Sequence, residues 1–102
     1  MDRKNDKMTF DMDEYYFYRI VLTKNITRAA EEIHISQPAL SKAMARLERK
    51  YGCRLVYRNK KGVELTEAGA LLFDGIRQCI AIIENTASQI SEISEPEQEK
   101  EN

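Results

Sequence analysis

The sequence predicts a mainly α-helical domain in which three short helices are followed by a two-stranded hairpin and one long helix. Three observations predict it. Apolar residues recur at helical spacing over most of the chain, as in Ile26, Ala29, Ala30 and Ile33, the single-face pattern of an amphipathic helix. One stretch changes period, with β-favouring runs Leu55–Arg58 and Val63–Leu65 around the turn-rich Asn59-Lys60-Lys61-Gly62, as a hairpin does. Four Gly and two Pro in 102 residues, with 32% charged side chains, suit helices and argue against a β-sandwich or a disordered polymer.

Taken in order, Met1–Phe10 is polar and unpatterned and is expected to be a flexible arm. Asp11 is placed to cap a first helix, with Glu14 reaching back in a capping box, and Phe17, Ile20 and Val21 form its buried stripe. Asn25 caps a second helix whose Ala29 and Ala30 let a neighbour approach closely, while Thr27, Arg28, Glu31 and Glu32 face outward. After a bend at His34-Ile35, Ser36 caps a third helix with Pro38 in its first turn, where a missing N–H costs little. Leu40, Met44, Leu47 and Tyr51 make its core stripe, and Gly52 suits the left-handed position that ends it. Its other side reads Gln37, Ser41, Lys42, Ala45 and Arg49.

Beyond the hairpin, Thr66 caps a long helix. Its apolar residues Leu72, Ile76, Cys79, Ile83, Ile90 and Ile93 alternate in steps of four and three, interrupted by Thr86 and widened by Ile80 and Ile82. Pro96 and the Glu-rich end are expected to stop it. The organisation is thus an arm (1–10), a unit of three helices and a hairpin (11–65), a long helix (66–94) and an acidic hinge or disordered tail (95–102).

Composition narrows the functional classes. A 42% hydrophobic chain of this length can build one core without staples. No run approaches the roughly 20 apolar residues of a membrane span, and no signal-peptide pattern follows the basic start, so a soluble cytoplasmic protein is expected. Cys53 and Cys79 form no ligand motif and read as small core residues. One histidine, no clustered acids and no Gly-rich phosphate loop leave no catalytic constellation, so neither an enzyme nor a cofactor or metal is expected. His34 reads as a helix-end residue near free carbonyls.

The net charge of −1 hides a strong segregation. Between Lys24 and Gly62 ten basic residues face three acidic ones, for +7, whereas from Ser91 onward five glutamates face Lys100 alone, for −4. A basic module is joined to acidic flanks, which points to an anionic partner. Two helices joined by a short turn, the second polar on its outer face, suit a DNA major groove. There a Gln amide can pair two ways with adenine, a hydroxyl can donate or accept, and an ammonium can reach guanine or phosphate. Gln37, Ser41 and Lys42, with Pro38 beside them, are the candidate base readers. Thr27, Arg28, Ser36 and Arg49, with Arg58, Lys60 and Lys61 of the wing, are the candidate backbone or minor-groove contacts, which position a module without specifying sequence.

The runs Asn25-Ile26-Thr27-Arg28-Ala29-Ala30, Ile35-Ser36-Gln37-Pro38-Ala39-Leu40-Ser41-Lys42, Leu47-Glu48 and Leu65-Thr66-Glu67-Ala68-Gly69 resemble successive signatures of LysR-type transcriptional regulators. The resemblance runs from about Met12 to Ile83. It implies a bacterial winged helix-turn-helix with Ser36–Tyr51 as recognition helix, a linker helix that pairs two copies, and an interrupted inverted-repeat operator. Leu72, Ile76, Cys79, Ile80, Ile83 and Ile90 are the candidate dimerisation residues. Family members continue into a larger effector-binding domain, which is absent from these 102 residues. The wing departs from the pattern: its tip is lysine-rich where arginine is common, and Glu64 puts an acid on the returning strand.

Polar residues favour helix starts in any case, and exposed basic residues are ordinarily just solvated. The rival reading is a winged helix that docks a protein and binds no DNA. Such a helix would carry exposed aromatic or aliphatic anchors, and the outer face of the third helix carries none.

Overall fold

The computed structural model describes residues 10–101, with side chains described from 10 to 94. Of the arm expected over residues 1–10, residues 1–9 lie outside the described residues, and Phe10 is exposed and outside any helix or strand. The elements follow as α1 (Met12–Thr23), α2 (Ile26–Glu32), α3 (Gln37–Tyr51), β1 (Val56–Asn59), β2 (Gly62–Leu65) and α4 (Glu67–Glu101).

Local chemistry sets the boundaries. Asp11 accepts from the Asp13 amide at 3.0 Å, while the Glu14 carboxylate accepts from the Asp11 amide at 3.1 Å, completing the capping box of α1. Asn25 accepts from the Arg28 amide and Ser36 from the Ala39 amide, at 2.9 and 3.1 Å. Gly52, at φ +76°, ends α3 and donates to the Glu48 carbonyl. Thr66 accepts from the Gly69 amide at 2.9 Å and donates to the Arg54 carbonyl at 2.8 Å, so the cap of α4 also ties it to the segment that leads into β1. Each such cap stabilises its helix by about 1 kcal/mol.

The core gathers Phe17 and Ile20 of α1, Ala29 and Ala30 of α2, Leu40, Met44 and Leu47 of α3, Leu55 and Val56 at the first strand, and Ile76 of α4. The hairpin is antiparallel, with Val56 opposite Leu65 and Asn59 opposite Gly62, leaving Lys60-Lys61 as a two-residue tip. The first strand thus lies one residue closer to the tip than its β-favouring run suggests, and the second is longer by one residue at the tip end. Two glycines answer close approaches. At Gly62 (φ +128°) a Cβ would lie 2.2 Å from the Lys24 carbonyl oxygen, and at Gly69 one would lie 2.0 Å from that of Leu55. The hairpin is seated on the left-handed Lys24 (φ 62°), whose carbonyl accepts from the Val63 amide at 3.3 Å.

Three expectations are corrected. First, α4 runs through Pro96 to Glu101, because proline's fixed φ is compatible with a helix and the lost amide leaves one carbonyl for water to satisfy. Second, Cys53 and Cys79 are both exposed; Cys53 sits in the turn after Gly52, and Cys79 lies on α4 at the rim of a groove that it shares with Phe10, Tyr51 and Leu72. Third, Ile76 is 3% exposed and belongs to the domain's own core, with Leu72, Phe73 and Ile80 packed against that core, so these turns anchor the helix. Phe73 stacks on Tyr18 at 5.5 Å between ring centroids. From Ala81 to Ile93 every residue of the helix is exposed, Ile82, Ile83, Ile90 and Ile93 among them. Among the described residues no helix is long and apolar enough to cross a membrane.

Candidate nucleic-acid interface

The outer face of α3 is held from within by its buried stripe. Gln37 and Ser41 lie one turn apart and half-buried, with the Gln37 amide donating to the Ser41 hydroxyl at 3.0 Å. This contact holds the amide side-on along the helix start. Pro38 and Lys42 are exposed beside them, and Arg49 is exposed in the last turn, where a cation complements the helix dipole. Ser36 is exposed, with its oxygen accepting from the capped amide. On α2, Thr27 and Arg28 are exposed in the first turn. Arg58, Lys60 and Lys61 are exposed on the hairpin, and the Lys61 amide donates to the Asn59 side chain at 2.9 Å, fixing the tip.

The ion pairs sort the basic residues. Arg46 is held bidentately by Asp13 at 2.9 and 2.8 Å, Lys50 meets Glu14 at 2.7 Å, and Arg54 approaches Glu48 at 3.9 Å. Lys24, Arg28, Lys42, Arg49, Arg58, Lys60 and Lys61 make no ion pair with any described carboxylate. Lys24 escaped sequence reasoning as a member of this group: it lines one cleft with Asn59 and Lys61 of the wing, a neighbourhood set by the seating of the hairpin and not by spacing in the chain.

A set of contacts that the sequence did not reveal fixes α3 in place. Glu14 is 1% exposed, the sole charged residue in the described interior. One oxygen accepts from the Asp11 amide, the other from Lys50 Nζ and the Tyr51 hydroxyl, both at 2.7 Å. Burial raises the pKa of this carboxyl, yet the hydrogen bonds from Lys50, Tyr51 and the Asp11 amide outweigh it, so the net shift is downward. Tyr51 is shifted upward, by burial first and then by the adjacent carboxylate. The visible signal was position: Glu14 stands three residues before Phe17 on the face that α1 buries. Glu48 acts similarly at the same end of α3, accepting from the Leu55 and Val56 amides at 2.7 and 3.3 Å and so joining α3 to β1.

The recognition-type helix, its short supporting helix, the hairpin and the long trailing helix together define a winged helix-turn-helix with a linker helix. Residues 13–70 match the family described as "Bacterial regulatory helix-turn-helix protein, lysR family", and the chain belongs to that family. It is 45% identical over 67 residues to the HTH-type transcriptional regulator BudR of Raoultella terrigena, a match covering 66% of this chain and 23% of that protein. A transcriptional regulator of the LysR family from Eggerthella lenta, solved by crystallography, superposes with a TM-score of 0.62 at 45% identity, covering 68% of this chain and 99% of that one. Vibrio fischeri DarR, solved in complex with DNA, superposes with a TM-score of 0.71 at 35% identity, covering 86% of this chain and 30% of that one. The chain therefore spans less than a quarter of the length of the BudR relative.

Proposed function

We propose that this chain is the sequence-specific DNA-binding head of a bacterial LysR-type regulator, and that it reads an interrupted inverted repeat as a homodimer. The carrying observation is the coincidence of two independent sets. The basic residues without a carboxylate partner include all six lysines and arginines that motif reasoning nominated for DNA: Arg28, Lys42, Arg49, Arg58, Lys60 and Lys61. Gln37, Pro38, Ser41 and Lys42 read bases. Thr27, Arg28, Ser36, Arg49 and the wing residues grip phosphate or the minor groove. The large apolar side chains exposed on the surface lie on the α1 region, the wing and α4, none on α3, which favours DNA over a protein ligand for that helix. The exposed isoleucines of α4 supply the pairing surface for a second copy, setting two recognition helices apart to meet two half-sites.

Selection of bound duplexes from a random library at moderate salt tests the reading, with recovery of an inverted repeat as the expected result. Gln37→Ala should then lose about 1–3 kcal/mol on the selected site and little on unrelated DNA, since it removes a base contact and no charge. Equal loss on both would overturn the assignment of Gln37 to a base.

A further inference from the structure

Gly75 has no evident reason within its own domain. It lies inside α4, where glycine costs about 1 kcal/mol relative to alanine, yet a Cβ there would meet no atom within 4 Å. Its surroundings are apolar and open: a groove of about 350 Å³ beside it is lined by residues that include Phe10, Leu71, Leu72 and Cys79, with Phe10 55% and Leu71 74% exposed. The stripe that contains Gly75 continues in helical steps through Cys79, Ile82 and Thr86 to Ile90, all exposed.

We infer that the hollow at Gly75 is the socket for Ile90 of a second copy, which fixes the register of an antiparallel α4 pair. This rests on the pairing proposed above. The argument for a second copy as occupant is self-complementarity. When two such helices run antiparallel about a two-fold axis between Ile82 and Ile83, those two residues meet at the centre, Cys79 meets Thr86, and Gly75 meets Ile90. Every apolar or small position of the stripe then faces another, and the largest overhanging side chain falls opposite the one position with no side chain. A one-turn slip in either direction would put Ile90 against Leu71 or Cys79 and leave the hollow empty. The glycine that weakens the isolated helix is, in the pair, the place where the backbones come nearest.

Sedimentation equilibrium on the 102-residue chain and its variants tests this. Gly75→Leu should raise the dimer dissociation constant about tenfold or more, because the overpacked contact occurs twice per two-fold pair. Adding Ile90→Ala to Gly75→Leu should recover most of that loss, although Ile90→Ala alone weakens the dimer, a coupling that a double-mutant cycle reads directly. In the background of Ile83→Asp, designed to be monomeric, Gly75→Ala should raise the melting midpoint by several degrees, and Gly75→Leu should melt no lower than its parent, so weaker pairing is not misfolding. If Gly75→Leu pairs as tightly as the unaltered chain while Ile83→Asp dissociates, or if Ile90→Ala fails to compensate, the register is wrong and the α4 pairing stands. If the unaltered chain is monomeric at about tens of micromolar, the scale of a weak dimer, or Ile83→Asp leaves the dimer intact, the pairing itself fails and the socket with it.

Discussion

Replacing Glu14 with Gln keeps the shape of the side chain and removes its charge, and the hydrogen bonding around it sets the cost. In the native domain one carboxylate oxygen accepts from the Asp11 amide and the other from Lys50 and Tyr51. A glutamine has one acceptor oxygen. Turned toward Lys50 and Tyr51, it sets its NH2 against the Asp11 N–H; turned the other way, it sets NH2 against the ammonium. A hydrogen bond to a charged group contributes about 1.5–3 kcal/mol. Lys50 retains 25% side-chain exposure and can recover water, which holds the loss below the about 3–5 kcal/mol of a fully buried broken pair. The expected cost is about 2–3 kcal/mol at pH 7, read by urea unfolding followed with circular dichroism at fixed protein concentration. The pH dependence has a definite sign. The Glu14 pKa is depressed in the folded state, so its stabilisation is complete above the ordinary value of about 4.5 and is lost as pH falls through the folded value. The difference between parent and Glu14→Gln should therefore shrink on acidification. A difference that is absent at pH 7, or that stays constant down to about pH 3, would refute the reasoning.

Two further outcomes are expected. Lys60→Ala with Lys61→Ala should weaken binding to all DNA sequences alike and flatten the dependence of log K on log salt by up to about two units; an unchanged slope in a filter-binding series would remove the wing tip from the phosphate contacts. Gly62→Val should unseat the hairpin, since its Cβ would collide with the Lys24 carbonyl at 2.2 Å and a β-branched residue is strained at positive φ. A thermal midpoint equal to that of the parent would show that the wing can shift without cost.

The parts legible in the sequence are those whose chemistry closes within a few residues. Asp11, Asn25, Ser36 and Thr66 each cap an amide two or three positions ahead, so type and spacing reveal them. The helical stripes were legible for the same reason, since burial repeats with the helix period. What escaped is non-local. Glu14 meets Lys50 and Tyr51 across 36 and 37 residues, and no local rule marks a carboxylate on a core face as one that will find partners. The point at which α4 leaves the core also escaped. Ile76 and Ile83 look alike in the stripe, yet the first packs in the core and the second lies 66% exposed, because the turning point is set by where the small domain ends and not by the helix.

The helix that nominates no DNA contact has a consequence for the two elements that do. The first turn of α1 grips α3 through Asp13 and Glu14, and the residue that ends α1, Lys24, seats the wing by its carbonyl. Both outer elements are thus indexed to one rigid rod, at points about ten residues or roughly 15 Å apart at 1.5 Å per residue. That length works as a gauge block. A substitution on its surface leaves the interval alone, whereas one residue inserted between Glu14 and Lys24 rotates one anchor by about 100° against the other and breaks the common reference while every candidate contact residue remains unchanged.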